Sequence, residues 1–243
     1  MMEAYGIYED LLSSLKDAKI KEIRMGLHMV GVKSKRLGLS LLYQNFEHVG
    51  IPKAGKLTKL SGLNLARHVL SWNFAEASIG LATINALMHP EKGEGLNAFD
   101  WVKERAKGKK IAVIGHFPRT EELKNESKVW VFERKPQKGD FPDSAEEYYL
   151  PKADVVMVTG SALINKTMPR ILTLSKNAYT IVLGPSTPVT RTWFKYGIDV
   201  VAGSNVKDEK MVLKKLSEGA TGCDLVRDLE FSMIFNQETR GKL

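Results

Sequence analysis

Five apolar runs dominate the second half of the chain, and four of them end in the same way. The stretches IAVIGHFP (111–118), VVMVTGSALINKT (155–167), YTIVLGPSTPVT (179–190) and IDVVAGSNV (198–206) pass directly from apolar residues to glycine and small polar residues. The fifth run, KVWVFERKP (128–136), lies between the first two. Runs that are apolar throughout are typical of parallel strands covered by helices on both faces. Five of them, separated by segments of helical length, predict a Rossmann-like, doubly wound parallel sheet.

The first half follows a different pattern. Apolar residues recur at helical spacing over 8–15, and they then alternate with other residues over 23–29, which predicts a helix followed by a strand. The polar cluster 33–36 is followed by another apolar run and predicts the turn of a β-hairpin. Two more helices are predicted over 63–70 and 74–88.

A short linker separates these two patterns. The segment 91–95 is rich in glycine and charge, and Asn97 with Asp100 resembles an N-cap pair that begins a helix. A chain of 243 residues is long enough for two small domains. We therefore predict an α+β domain over 1–106 and a Rossmann-like domain over 107–243.

Composition excludes several classes of protein. The apolar runs are far shorter than the roughly 20 residues of a membrane helix, and the N-terminus lacks the features of a secretory signal. The one cysteine, Cys223, cannot form an intramolecular disulfide, which favours a reducing, cytoplasmic location. The net charge of +8 comes from lysines that alternate with glutamates, which is typical of solvated faces and argues against nucleic-acid binding.

The residues that follow the strands are the candidates for a binding site, since ligands of such sheets lie beyond the carboxyl ends of the strands. Glycine, serine and threonine there offer backbone N–H groups and hydroxyls, from which phosphate or carboxylate cradles are built. The alternative is that they are turn residues required by tight connections. The candidates are Gly115, His116, Phe117, Pro118, Glu133, Thr159, Gly160, Ser161, Asn165, Thr167, Gly184, Pro185, Ser186 and Thr187.

His116 and Glu133 are the candidates for chemistry. A histidine at a strand end can serve as a general acid/base or a metal ligand, or can simply stabilise a turn. Glu133 stands where an acid binds ribose hydroxyls in nucleotide sites, and a salt bridge to Arg134 or Arg119 is its alternative role. The first turn reads GHFPRT instead of GxGxxG, which argues against a dinucleotide.

The predicted helix 74–88 has unusually small side chains, which predicts a crowded interior or interdomain position. Asn73, Glu76 and Asn85 are the polar exceptions on or beside it. If they face inward, they must meet each other, a backbone group or a ligand. The alternative is that Asn73 caps the helix and the other two face solvent.

Several of these stretches together resemble the "putative heavy-metal chelation" domain family. They are VIGHFP, VFERKPQKGDFPD, LPKADVVMVTGSALINKT, LGPSTPVT and YGIDVVAGSNV, in matching order and spacing. SWNFAEASIGLATINALMHP and the hairpin before it resemble the companion domain of that family, whose fold is like the N-terminal domain of enolase. The resemblance implies a cleft between the domains, formed by the candidates above and approached by Asn73, Glu76 and Asn85.

The function implied by the resemblance is heavy-metal chelation, or the making or breaking of pterin-, flavin- or siderophore-like molecules. We expect a cleft that binds, and in an enzyme transforms, such a small polar or anionic molecule, with His116 and Glu133 as acid/base groups. The alternative is a non-enzymatic binder of a heavy metal or metal chelate. One cysteine and scattered histidines suit a soft metal poorly, so the metal donors are expected on the ligand. The sequence assigns no cofactor and no protein metal ligands, and a homo-oligomer stays an option.

Overall fold

The first half combines helices with a small antiparallel sheet. The computed structural model describes residues 6–43 and 50–243. The elements of the first half are α1 (Gly6–Ser13), β1 (Glu22–Met25), β2 (Met29–Lys33), β3 (Leu37–Leu41), α2 (Gly62–Ala66), a 3-10 helix (Arg67–Leu70) and α3 (Phe74–Leu87). The strands pair in the order β1-β2-β3.

The single strand predicted over 23–29 is wrong, because the chain reverses at Gly26. The Gly26 N–H donates to the Met29 carbonyl at 2.9 Å, which closes a tight turn between β1 and β2. A Cβ on Gly26 would lie 2.5 Å from the Leu216 carbonyl oxygen, so only glycine fits between the turn and the helix beside it. The predicted hairpin turn at 33–36 is confirmed, and it joins β2 to β3 with Lys33 opposite Leu37.

The second half is built on a mostly parallel seven-stranded sheet. Its elements are α4 (Ala98–Arg105), β4 (Lys110–Ile114), α5 (Thr120–Lys124), β5 (Lys128–Glu133), β6 (Phe141–Pro142), α6 (Glu146–Tyr149), β7 (Val155–Thr159), α7 (Met168–Leu174), β8 (Tyr179–Leu183), β9 (Val200–Val206), α8 (Glu209–Ser217), α9 (Gly222–Leu225) and β10 (Leu229–Phe235). The strand order is β10-β9-β8-β7-β4-β5-β6, and β10 alone runs antiparallel to its neighbour. The five predicted strands are present.

Two strands of this sheet were not predicted. β6 contains only two residues, too few for a periodic signal. β10 carries Glu230 and Ser232 within its apolar residues and pairs along its whole length with β9. It forms the edge of the sheet, where a polar side chain can face solvent. The strand order reverses between β4 and β7, because the chain proceeds from β4 toward β6 on one side and from β7 toward β9 on the other.

Alternate residues of the central strands belong to two different cores. Ala112 and Val156 lie in a cluster that also contains Tyr8 and Leu81 of the first half. Ile111 and Val155, on the opposite face, pack with residues of α4 and α5. The apolar core is therefore continuous across the boundary at 106/107, which remains a prediction as a division into domains.

Helix α3 occupies the crowded position expected from its small side chains. Its residues are buried from Ala77 to Leu87 apart from the half-buried Asn85. A Cβ on Gly80 would lie 2.0 Å from the Val69 nitrogen, and a Cβ on Gly38 of β3 would lie 2.2 Å from the Ala82 carbonyl oxygen. Two backbones thus approach α3 to contact distance. Within the described ranges, none of the helices has the length and apolar character needed to cross a membrane.

Candidate functional site

A groove of about 1170 Å³ opens at the carboxyl ends of the parallel strands. It lies where the strand order reverses, the position at which open α/β sheets bind ligands. The turn between β1 and β2, the end of β3, the start of α4 and the segment from α9 to β10 complete its walls. The sequence candidates that line the groove are Gly115, His116, Phe117, Pro118, Glu133, Thr159, Ser161, Gly184, Pro185 and Ser186.

His116 is held by an acid that sequence reasoning missed. Its Nδ1 lies 3.0 Å from Oδ2 of Asp140, whose side chain is only 4% exposed, whereas that of His116 is 34% exposed. An ionised carboxylate only accepts hydrogen bonds, so this contact assigns the imidazole proton to Nδ1. In that tautomer, Nε2 has a lone pair that can accept a hydrogen bond or a proton from a ligand. Asp140 also accepts from the Gln137 N–H at 3.1 Å, which fixes its orientation. Asp140 lies in one of the stretches that carry the family resemblance, and that was the available signal.

Glu133 is fixed by backbone amides. Its carboxylate accepts from the His116 N–H at 3.1 Å and from the Arg134 N–H at 2.7 Å. The arginine side chains bind other acids, since Arg119 pairs with Asp100 and Glu122 while Arg134 Nε donates to Asp143 at 3.1 Å. The backbone N–H of His116, one of the strand-end groups expected to bind a ligand anion, therefore already donates to Glu133. Glu133 lines the groove, and its carboxylate lies beside His116.

Phe117, directly after His116, is an aromatic residue that lines the groove. Its ring contacts Phe99 with a centroid distance of 5.6 Å and lies 3.7 Å from the Cβ position of Gly184. Gly115 and Gly184 have φ of 100° and 104°, values that other residues adopt only with strain. These two glycines are thus turn residues that also line the groove.

Asn85 and Ser186 join the first half of the chain to the large sheet. We name as the seam the set of hydrogen bonds that connects the elements of the first half with those of the second half. Asn85 Nδ2 donates to the carbonyls of Leu39 at 2.8 Å and Ser186 at 3.2 Å. The Ser186 hydroxyl in turn accepts from the Leu41 N–H at 2.8 Å. A Cβ on Gly160 would lie 2.4 Å from Thr187 Oγ1, so these two loops pack directly.

Asn165 and Thr167 also bind within the protein. The Asn165 side-chain oxygen accepts from the Thr167 N–H at 3.2 Å and from the Thr167 hydroxyl at 2.8 Å. Asn73 caps α3 by accepting from the Ala75 N–H at 3.0 Å, and Glu76 accepts from the Ser71 hydroxyl at 2.5 Å. None of these four candidates is among the described residues that line the groove.

Tyr43, at the end of β3, is a groove residue that the sequence did not reveal. Its ring packs edge-on against Phe74 at a centroid distance of 6.1 Å. Burial, together with the nearby negative charge of Glu133, raises the pKa of Tyr43 to about 12. The phenol therefore keeps its proton at neutral pH and can donate a hydrogen bond.

Two ionisable groups outside the groove lining have pKa values shifted by burial. Burial raises the pKa of Glu146 to about 7, and the charge of Asp143 adds to the effect. Burial lowers the pKa of Lys166 to about 8. Lys166 Nζ donates to the carbonyls of Val69 at 2.7 Å and Ile164 at 2.8 Å, so it belongs to the seam.

The side chains of the groove fit a directly bound heavy metal poorly. In residues 6–43 and 50–243, no three His, Cys, Asp or Glu side chains are grouped closely enough to hold a metal ion. His116 Nδ1 is directed at Asp140, and Glu133 is occupied by two amides. Cys223 lines the groove as its only thiol, and soft metals favour several.

Comparison with known proteins agrees with this fold. The DUF364 profile, described as "putative heavy-metal chelation", matches residues 97–234, and the DUF4213 profile, with the same description, matches residues 8–88. A protein of unknown function from the DUF364 family of Desulfitobacterium hafniense has a crystal structure similar to this one, with a TM-score of 0.85 and 28% identity, covering 96% of this chain and 99% of that chain.

Two further relatives are more distant or partial. A DUF364 protein of unknown function from Pyrococcus horikoshii shares the fold, with a TM-score of 0.79 and 21% identity over 96% of this chain and 99% of that chain. An uncharacterized protein of Methanocaldococcus jannaschii is 33% identical over 149 residues, which is 57% of this chain and 58% of that protein. The match thus spans little more than half of the curated relative. Since the DUF364 profile alone covers more than half of the sequence, the chain belongs to the DUF364 family, described as "putative heavy-metal chelation" and of unknown function.

Proposed function

We propose that the groove binds a small anionic heterocyclic molecule, of the pterin, flavin or siderophore type, and that His116 exchanges a proton with it. The observation that carries this proposal is the His116–Asp140 pair beside Glu133, at the point where the strand order of the large sheet reverses. A histidine whose Nδ1–H is bound to a carboxylate presents Nε2 as a base, which is the arrangement used in general acid/base catalysis.

The other groups of the groove have complementary roles in this proposal. Arg134, which is paired with Asp143 through Nε, and Lys135 are the cationic side chains that meet an anionic ligand at the strand ends in this proposal. The ring of Phe117, which lines the groove, is the stacking surface for a planar heterocycle in this proposal. Glu133 accepts hydrogen bonds from ring N–H groups or hydroxyls of the ligand, and Tyr43 donates one.

Native mass spectrometry of freshly purified, untagged protein tests for a retained molecule. Titration with pterin-6-carboxylate and with flavin mononucleotide then tests the site itself. His116→Asn and Glu133→Gln are each expected to weaken binding about tenfold, the value of one hydrogen bond to a charged group. Incubation of the retained molecule with protein should give a product that His116→Asn does not give. His89→Asn is the matched control, since His89 is exposed and lies outside the groove.

Unchanged binding and turnover in both groove variants would refute the proposal. A loss that His89→Asn shares with them would trace the effect to general stability instead of the groove.

The family description supports a second candidate, the non-enzymatic binding of a metal chelate whose donors belong to the ligand. Elemental analysis of the retained fraction should then find metal and small molecule in equal amounts, and Cys223→Ser should leave both unchanged. Metal that is retained without a small molecule, and lost in Cys223→Ser, would instead favour direct coordination by the protein.

A further inference from the structure

The groove has two ends of different chemistry. We name as the polar end the termini of β4 and β5 with His116, Glu133 and Arg134. We name as the apolar end the wall formed by the turn before β2, the segment before α4 and the segment from α9 to β10, with Leu27, Leu96, Val226 and Phe231. The strand order places three strands between β10 and the pair of β4 and β5. The proposed function uses the polar end with Lys135, Tyr43 and the ring of Phe117, and leaves the apolar end without a role.

The apolar end concentrates exposed hydrophobic side chains. Eight large apolar side chains are exposed in the described part of the chain, and four of them line this one groove. Leu27 is 68% exposed and Val226 is 44% exposed. Single exposed apolar residues are ordinary on protein surfaces, but several that share one concave surface mark a binding site.

The backbone holds this wall in place, so the apolar side chains cannot collapse onto each other. Leu27 lies in the turn after Gly26, which is wedged against the Leu216 carbonyl. Phe231 lies in β10, where it pairs with Ser204 of β9. Met29 and Leu229, which also line the groove, belong to a buried apolar cluster. The apolar end is therefore a preformed surface.

The size of the groove also exceeds what the polar end requires. A volume of about 1170 Å³ is above the roughly 300–1,000 Å³ of pockets that enclose drug-sized ligands. A single bicyclic heterocycle over Phe117 would leave the apolar wall in contact with water. Water against a preformed apolar surface is unfavourable, and a ligand that displaces it gains affinity.

We propose that the ligand is amphipathic, with an anionic ring at the polar end and an apolar extension against Leu27, Val226 and Phe231. This inference rests on the proposed function, because it assumes that the anionic ring lies at the polar end. It adds the substrate class, an anionic heterocycle or arene that carries an alkyl or aryl extension, and it makes the apolar end the part of the site that determines specificity.

Paired probes that differ only in the extension test this proposal. Benzoate and 4-butylbenzoate are titrated against the whole chain, and the butyl group is expected to tighten binding by about fourfold for each methylene buried. Leu27→Ser combined with Val226→Ser should remove most of this gain and leave benzoate binding unchanged. Arg134→Gln should weaken both probes equally. Both apolar positions are already well exposed, so these variants should fold, and Met211→Ser, 41% exposed and outside the groove, is the matched control.

Other outcomes of these titrations would contradict this inference. Benzoate binding with no gain from the butyl group overturns this inference and leaves the proposed function standing. Butylbenzoate binding that ignores Arg134→Gln, or no binding of either probe, overturns this inference, whereas the titrations with pterin-6-carboxylate and flavin mononucleotide decide the proposed function separately. A change of oligomeric state in the Leu27/Val226 variant, with the butyl gain intact, assigns the wall to a contact between copies of the chain and also overturns the inference.

Discussion

The seam and the groove are adjacent parts of the same junction between the small sheet and the large sheet, yet they use polar residues in opposite ways. In the seam, Asn85 and Lys166 bind backbone carbonyls within the protein. In the groove, His116 and Glu133 are each fixed on one side by the protein and face the opening on the other. Residues of both kinds look alike in the sequence, because both are polar exceptions beside apolar runs.

The comparison shows how a polar residue can be assigned to structure or to binding. A side chain whose donors and acceptors are all satisfied internally contributes to stability, and its loss leaves buried partners unpaired. A side chain that is oriented by a buried partner but still reaches a cavity is available to a ligand. Seam substitutions should therefore lower stability without changing ligand affinity per folded molecule, and groove substitutions should do the reverse.

Gly80→Ala should have the largest effect, because it disturbs the packing of α3, the helix that carries the seam residue Asn85. The new Cβ would lie 2.0 Å from the Val69 nitrogen, a backbone atom that cannot move alone. The free energy of unfolding should fall by about 3 kcal/mol, measured by urea denaturation. Gly95→Ala is the control, because no atom lies within 4 Å of its Cβ position and it should change stability by less than about 0.5 kcal/mol. Equal stability of the two variants would show that α3 is not tightly packed.

Asn85→Ala should cost about 2 kcal/mol of stability, because the carbonyls of Leu39 and Ser186 lose their donor. Affinity for pterin-6-carboxylate, corrected for the folded fraction, should be unchanged. The exposed Asn64→Ala on α2 provides the control for stability. A tenfold loss of affinity at unchanged stability would instead show that Asn85 binds the ligand, as the sequence predicted. The distinction between seam and groove residues would then fail for Asn85.

Glu146→Gln should remove a pH-dependent loss of folding stability that the buried Glu146 carboxylate causes when it ionises. The pKa of Glu146 in the folded protein, about 7, lies above its ordinary value of 4.5, so the folded state keeps the proton to higher pH than the unfolded chain. Its contribution to stability is therefore full below about pH 4.5 and is lost as pH rises through 7. Since glutamine resembles the protonated acid, the variant should be more stable than the parent at pH 8 by on the order of 2 kcal/mol and equal to it at pH 4.5.

Denaturation at the two pH values measures this difference, and the neighbouring residue gives the control. Glu147 binds Arg170, which lowers the pKa of its carboxyl, so Glu147→Gln should not stabilise the protein at pH 8. A Glu146 variant that is no more stable at pH 8 than its parent would place the ionised carboxylate in a favourable environment.

Asp140→Asn should have the smallest effect on stability, about 1 kcal/mol for one hydrogen bond, but it should alter His116 specifically. Loss of the carboxylate removes the preference for the proton on Nδ1, which histidine ¹⁵N chemical shifts report directly. The signals of His89 serve as the internal reference, since its Nδ1 lies near the Pro90 carbonyl and far from this loop. Unchanged His116 signals would show that Asp140 does not position the imidazole.

Much of the fold was predictable because it depends on local patterns. The five parallel strands, the hairpin turn at 33–36 and the small-sided helix α3 follow from runs of residues that are close in sequence. The reversal at Gly26 was missed, because a tight turn preserved the alternation on both sides of it. The β10 strand was missed because its pairing partner, and not its own composition, makes it a strand.

The candidate site was only partly predictable for a related reason. Strand ends can be read from the sequence, and they gave His116, Glu133, Phe117 and the glycines that line the groove. The acid that orients His116 lies 24 residues away in a loop, and no period or motif in the residues themselves marks Asp140 as its partner.

The sequence by itself determined that the chain carries a parallel sheet with polar loops at one edge, because continuous apolar runs ending in glycine are stable only as buried strands with tight turns. The tertiary structure decided which polar residues bind within the seam and which line the groove. Asn85 and Ser186 meet across 101 residues of sequence, and Leu27 and Phe231 face one cavity from opposite ends of the chain. Such contacts depend on how the two sheets pack, and packing is a property of the whole molecule.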